Sequence, residues 1–279
     1  MLVGAGANIT VMTFPEGVLL VDTGTAQMAS AVLESIKHLS DKPVAHIINT
    51  SASPAHVGGN ETIAASGRRI PAEIVAGEGP MVVAHENVLN RMSAPTGRQA
   101  AAPERAWPNN TYHDPTKKLS TRFHGGEAIE LVHVPAAHSD GDTLVWFRHA
   151  DVIATGEIYS TTSYPIIDVA NGGTIDGEID GLNKILDLAF PDYRSEGGTM
   201  IIPGQGRLSD MADVAYYRDM VTIIRARVQD LIKKGQTLEQ VKAAKPTRDY
   251  DGRFGATSGP WTTDMFVDAV YKTLSAKKK

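Results

Sequence analysis

The opening fifty residues constrain the fold most. Asn8 to Phe14 (NITVMTF) alternates as a strand does, Pro15-Glu16-Gly17 turns it, and Val18 to Val21 is a second, more apolar strand. Ala26 to Leu39 then places Met28, Val32, Leu33 and Ile36 at helical spacing, and Pro43 ends that helix. Val44 to Ile48 (VAHII), apolar apart from His46, reads as a further strand running into Thr50. A β-β-α-β start of this kind leads to a layered α/β sheet protein, not to a bundle or an all-β sandwich.

The remainder keeps the same grammar. The spacing predicts a short helix over Glu61 to Ser66, a strand over Glu73 to Ala76 and a helix over Gly79 to Met92. Strands follow over Ser120 to His124, Ala128 to Val134, Thr143 to Arg148 and Val152 to Thr155, and a further one over Met200 to Ile202. Helices are predicted over Ile179 to Ala189, Asp210 to Lys234, Leu238 to Ala244 and Thr262 to Leu274. Ser93 to Pro115 holds four prolines and reads as an irregular lid loop. No repeat or linker interrupts the chain, so residues 1–279 read as one domain with a lid over 93–115 and a helical C-terminal part over 209–275.

Composition narrows the function classes. Lys and Arg number 27 against 32 Asp and Glu, a net charge of −5, which argues against a nucleic-acid partner. The chain has no cysteine, which removes disulfides, thiolate-bound zinc and a cysteine nucleophile together. No apolar run reaches the length of a membrane helix, and Met1 to Ala7 lacks a signal-peptide pattern. The expectation is a soluble chain of unassigned compartment. Export would enter only if the natural N-terminus lay upstream.

Five short motifs fall at predicted strand ends: Val21-Asp22-Thr23-Gly24, Asn49 to Asn60 (NTSASPAHVGGN), His138-Ser139-Asp140-Gly141-Asp142, Thr155-Gly156-Glu157 and Ile202-Pro203-Gly204-Gln205-Gly206. In this order they resemble the metallo-β-lactamase superfamily over nearly the whole chain. The resemblance implies a four-layer αββα sandwich with its active site at the strand-end edge. It also implies a ligand set written His-x-His-x-Asp-His, a later His, a bridging Asp and a final His, which together would hold two zinc ions that activate water. At those positions this chain carries Ser51, Ser53, Ala55, His56, His138, Glu157 and Gln205. Two of the seven are unchanged, one is a longer carboxylate, and four are replaced.

The resemblance therefore implies a hydrolase homologue without standard dinuclear zinc, serving as a binding protein or a catalytically silent one, with no cofactor. The competing expectation is a hydrolase or lyase that uses His56, His138 and Glu157, either around one zinc, manganese or iron ion or as a metal-free acid–base site. Asp22 is expected to orient the ligand loop, Asp140 to satisfy backbone donors beside His138, and Gly58-Gly59 to permit a tight turn at a helix start. Ser51 and Ser53 are expected to fill space, because no nucleophile elbow surrounds them. The other histidines and the methionines Met28, Met81, Met92 and Met220 are read as structural. His113, Trp107, Tyr112, Tyr159 and Tyr164 are weighed as lining for a small-molecule cleft, against local packing. The C-terminal helices are weighed as a homo-oligomer surface, against covering the chain's own sheet.

Overall fold

A computed structural model describes residues 1–70, 79–94, 101–191 and 197–276. The fold is mixed α/β, with two five-stranded sheets and flanking helices, as the sequence implied. The chain divides into two compact units, one of Met1–His133 with Gly141–Gly156, the other of Val134–Asp140 with Glu157–Lys279.

The first unit opens with β1 (Thr10–Phe14) and β2 (Gly17–Val21), antiparallel around a two-residue turn. After α1 (Ala29–Leu39) comes β3 (Val44–Ile48), parallel to β2. All five residues of β2 and of β3 are buried, as expected of central strands in a parallel sheet. The short helices α2 (Pro54–Val57) and α3 (Asn60–Ser66) lead on to β4 (Met81–His85), then α4 (Glu86–Ser93) and β5 (Asn110–Tyr112), giving a sheet ordered β1-β2-β3-β4-β5. Val32 and Ile36 of α1 and Ile63 of α3 pack on Val18, Leu20, Ile47 and Val82, which is the core of this layer. The unit also holds β6 (Thr116–Lys118), β7 (Ile129–Val134, its last residue in the second unit), β8 (Asp142–Phe147) and β9 (Val152–Ala154), ordered β9-β8-β7-β6.

Three sequence expectations need correction here. Residues Gly79 to Met92 do not form one helix, because Met81–His85 pairs in parallel with both β3 and β5. Val82 and Val83 fit a helical face and a buried strand equally, and sheet pairing decides for the strand. Ser120 to His124 is a 3₁₀ turn at Thr121–Phe123, not a strand. Asn110–Tyr112, inside the expected lid, is an edge strand of the first sheet. The predicted strand over Glu73 to Ala76 and residues 95–100 of the lid lie outside the described residues.

The second unit is helical around a short strand, β10 (Met200–Ile202). Its helices are α5 (Ile175–Leu188), α6 (Met211–Lys233), α7 (Leu238–Ala243), α8 (Asp251–Phe254) and α9 (Thr263–Ala276). Thr174 caps α5 by accepting from the Gly177 amide, and Asp210 caps α6 by accepting from the Asp213 amide. Val214, Tyr217, Val221, Ile224, Val228 and Ile232 repeat every three or four residues down the buried face of α6. Tyr164 stacks on Phe266 with ring centroids 4.8 Å apart, and Tyr159 meets Tyr217 edge-on at 5.2 Å.

Candidate functional site

In the first unit the site is organised by Asp22. It follows β2 with a left-handed backbone (φ 65°), a conformation in which aspartate is tolerated better than most residues, and it is 2% exposed. Its amide donates to the Ile48 carbonyl (2.8 Å), so the strand end is fixed before the side chain acts. One carboxylate oxygen accepts from the Thr50 amide (2.8 Å). The other accepts from the Thr50 hydroxyl and from His56 Nδ1, both at 2.6 Å. A buried carboxylate that accepts from Nδ1 holds the proton there and directs the lone pair to Nε2. The loop Thr50 to His56 is thus clamped through its two ends.

A second polar knot, not anticipated from sequence, fixes the same loop. Asn60, fully buried, donates through Nδ2 to Asn49 Oδ1 (2.8 Å) and to the Ala106 carbonyl (2.9 Å). Its Oδ1 accepts from Thr23 Oγ1 (2.8 Å) and from Asn49 Nδ2 (3.1 Å). Every group on the Asn60 amide is used, which makes the knot rigid. Both asparagines stand inside the quoted motif, but asparagine beside turns is too common for their type alone to reveal the knot.

The remaining positions of the loop are modest. Ser51 is buried and its hydroxyl accepts from the Ser53 amide (3.2 Å). Ser53 precedes α2 without a side-chain capping bond, Pro54 opens the helix, and Ala55 is half-buried. Gly58 and Gly59 have ordinary helical backbones (φ −60° and −80°), so conformational freedom is not why glycine stands there. Space is the reason: a Cβ on Gly58 would lie 2.6 Å from the Ala26 amide nitrogen, and one on Gly59 would overlap the Thr23 carbonyl. Gly156 is different again, with φ 54° and a position where a Cβ would come 2.5 Å from Thr50 Oγ1.

In the second unit His138 and Glu157 come together. His138 Nδ1 donates to the Ile166 carbonyl at 2.7 Å and lies 3.4 Å from Glu157 Oε2, with side chains 8% and 6% exposed. Asp140 follows in the same turn, and its amide donates to the Asn171 carbonyl (3.0 Å). Gln205 is half-buried, and its backbone bridges to Ser160. Beside His138 lies a cavity of about 470 Å³, walled by Ile166 to Val169, Trp261, Lys242 and one face of α9. Its lining is drawn from residues 138 to 272, too far apart along the chain for any motif to reveal it.

The aromatic candidates pack locally. Trp107 Nε1 donates to the Ala102 carbonyl, and Tyr112 is buried with its hydroxyl 2.7 Å from Thr143 Oγ1. Burial pushes the Tyr112 phenol far above its ordinary range. Tyr159 donates to Ser209, and Tyr164 to Asp251, and both phenols are likewise raised by burial. His113 is 74% exposed beside Asp114. His85, expected on a helix, ends β4 and caps α4 by accepting from the Asn87 amide, while its ring stacks on His133 at 3.7 Å. Met81 belongs to a strand, and Met92 and Met220 are core residues.

Among the described residues, no three His, Cys, Asp or Glu side chains are grouped so as to hold a metal ion. No described helix is long and apolar enough to cross a membrane. The metallo-beta-lactamase superfamily profile matches residues 3–180. The chain belongs to that superfamily. No curated protein matches it significantly.

Solved structures of the superfamily share its fold at low identity. A double mutant of the sec-alkyl sulfatase PisA1 is 18% identical with a TM-score of 0.68, and the match covers 96% of this chain and 47% of that one. The chain thus spans about half the length of that sulfatase. The BLEG-1 B3 metallo-beta-lactamase is 19% identical (TM-score 0.58; 77% of this chain, 94% of that one). A metallo-beta-lactamase from Pontibacter korlensis is 15% identical (TM-score 0.57; 76% and 85%).

Proposed function

We propose that this superfamily member has given up dinuclear zinc hydrolysis and works as a small-molecule binding protein on the retained scaffold. The observation that carries this is chemical. The loop clamped by Asp22 offers Ser51, Ser53 and Ala55 where the superfamily places nitrogen and carboxylate ligands, and the Ser51 hydroxyl is already engaged by the Ser53 amide. Ala55 supplies no donor atom at all, and a neutral serine or glutamine oxygen is a weak zinc ligand. The residues present do not fit a two-zinc centre. The scaffold that would orient them, Asp22 with His56 and Thr50, is nevertheless built with short buried hydrogen bonds. Its retention supports a site still in use.

A second reading rests on the His138–Glu157 pair. The Ile166 carbonyl fixes the proton on Nδ1, so Nε2 is the atom that would take a proton from a substrate. Glu157 Oε2, 3.4 Å from the ring, would then stabilise the imidazolium. That arrangement suits a metal-free hydrolase or lyase; the resemblance adds the alternative of one zinc, manganese or iron ion.

Elemental mass spectrometry separates the binding-protein reading from the metal-bound form of the second, and turnover in a hydrolase and lyase substrate screen that is lost in His138→Ala would establish its metal-free form. Protein expressed with added zinc, manganese or iron is expected to hold well under about a tenth of an equivalent of any metal. About one equivalent, lost in both His56→Ala and His138→Ala, would overturn the binding-protein reading in favour of a mononuclear enzyme.

A further inference from the structure

The cavity beside His138 is walled by charges that are already answered and by apolar side chains that are not. Lys272 is ion-paired to Asp268 one turn back on α9 (2.5 Å), and Lys242 faces Glu239 one turn back on α7 (3.6 Å). Both carboxylate oxygens of Asp168 accept from Asn171, one from its amide and the other from its side chain. Asp264 lies in the first turn of α9, where the positive end of the helix balances a carboxylate. Each lining charge thus has its counterpart on the wall that carries it.

The neutral polar groups are turned into the wall in the same way. Trp261 Nε1 donates to the Pro165 carbonyl (3.0 Å), and His138 Nδ1 donates to the Ile166 carbonyl (2.7 Å). The Asp168 amide donates to the His138 carbonyl (2.8 Å). Between these groups the lining is the apolar surface of Ile166, Ile167, Val169, Trp261, Met265 and Ala269. Val169 and Met265 are 38% and 43% exposed although they border a hollow. Water against such a surface is poorly bonded, and its release favours an apolar guest. A charged guest would lose hydration there and find no unanswered charge in exchange. The volume, about 470 Å³, lies within the range of small-molecule sites.

We infer that this cavity binds a small uncharged molecule with a largely apolar body. The inference rests on the binding-protein reading and names its ligand class. The wall segment from Ile166 to Asp168 holds both the ring and the main chain of His138, so a guest seated against it is felt at that imidazole. Calorimetric titration of the full chain, in chelator, with phenylpropanol, phenylpropylammonium and phenylpropanoate tests the inference, since the three share one body and differ in the head group. The alcohol is expected to bind saturably, and each ion at least about fivefold more weakly. The His138 imidazole NMR signals should move along the same saturation curve. Met265→Glu, at an exposed position, puts a charge into the lining and should weaken the alcohol at least about tenfold. Ile223→Ser, which removes a similarly exposed apolar side chain from α6, should leave the affinity unchanged.

Binding of either ion as tightly as the alcohol, an unchanged affinity in Met265→Glu, a loss in Ile223→Ser, unmoved His138 signals or no saturable binding of the alcohol would each overturn the inference. Metal content and turnover decide the binding-protein reading, and neither is measured in this titration, so the two can fail separately.

Discussion

The two units hold their candidate residues by different physics. In the first, the site is a polar knot. Asp22 accepts three hydrogen bonds, and Asn60 uses every group of its amide to tie Thr23, Asn49 and Ala106. In the second, the His138 ring donates to a main-chain carbonyl, and the backbone beside it is packed so closely that only glycine fits. A Cβ on Gly173 would overlap the His138 carbonyl, and one on Gly177 would overlap the Ala136 carbonyl. A polar knot depends on particular donors and acceptors, whereas close packing depends on volume alone. The knot draws on Asp22, Thr23, Asn49, Thr50 and Asn60, and His56 is its one member that stands at a ligand position of the superfamily, so Ser51, Ser53 and Ala55 carry little of its rigidity.

The largest expected effect breaks the polar knot. Asp22→Ala removes a buried carboxylate from His56 Nδ1 and leaves the Thr50 amide and hydroxyl without their acceptor, at a cost of about 3–5 kcal/mol. The three tryptophans allow this to be read unit by unit, since Trp107 and Trp146 lie in the first and Trp261 in the second. Urea unfolding of a Trp261→Phe background should show the loss through Trp107 and Trp146 fluorescence. A change below about 1 kcal/mol would mean that the knot is not what stiffens the loop.

Alkaline pH should turn the comparison round. Burial raises the phenols of Tyr159, Tyr164 and Tyr217 in the second unit and of Tyr112 in the first. Hydrogen bonding to Asp251 adds to Tyr164, and the charge of Glu178 adds to Tyr217. A tyrosine whose folded value is raised stabilises the fold fully below its unfolded value near 10. That contribution is lost as pH climbs towards the folded value, by up to about 1.4 kcal/mol per pH unit for each group. Three such groups against one predict losses of up to roughly 4 and 1.4 kcal/mol per unit above pH 10. Urea midpoints at pH 9 and 11, read from Trp261 alone and from Trp107 with Trp146, check this. Equal losses in both readouts would contradict it.

Much of this was legible in the sequence, and what was not has identifiable reasons. β2 and β3 were readable because a short, almost wholly apolar run between turn residues has few other uses, whereas the expectation for Asp22 came from the resemblance and its bond to His56 was not anticipated. β4 was misread because Val82, Val83, Glu86 and Leu89 satisfy the helical period, and only pairing with β3 and β5 decides. Asn60 escaped notice because its partners lie as far off as Ala106, 46 residues along the chain. The cavity beside His138 escaped for the same reason. Glycines at 58 and 59 were seen but explained wrongly, since sequence shows that glycine is needed and not whether backbone angle or space requires it.

The smallest of these effects tests close packing directly. Gly177 lies in the first turn of α5, where its amide donates to the Thr174 cap at 2.9 Å and its Cα faces the Ala136 carbonyl, just before His138. Its backbone is helical, so alanine should favour the helix itself by about 0.8–1 kcal/mol. Against this, the added methyl would overlap a main-chain oxygen that cannot swing aside as a side chain could, and overpacking of this kind costs about 1–3 kcal/mol. The clash should win. Gly177→Ala is expected to destabilise the second unit, read through Trp261, by up to roughly 2 kcal/mol net. It should also displace the His138 ring, visible as a shift of its imidazole NMR signals. Gly252→Ala, a helical position where an added Cβ meets nothing within 4 Å, serves as the control and should leave the His138 signals unmoved and cause no destabilisation. If Gly177→Ala proves as silent as that control, volume is not what positions His138, and the contrast between a polar knot and a close-packed turn fails at its second term.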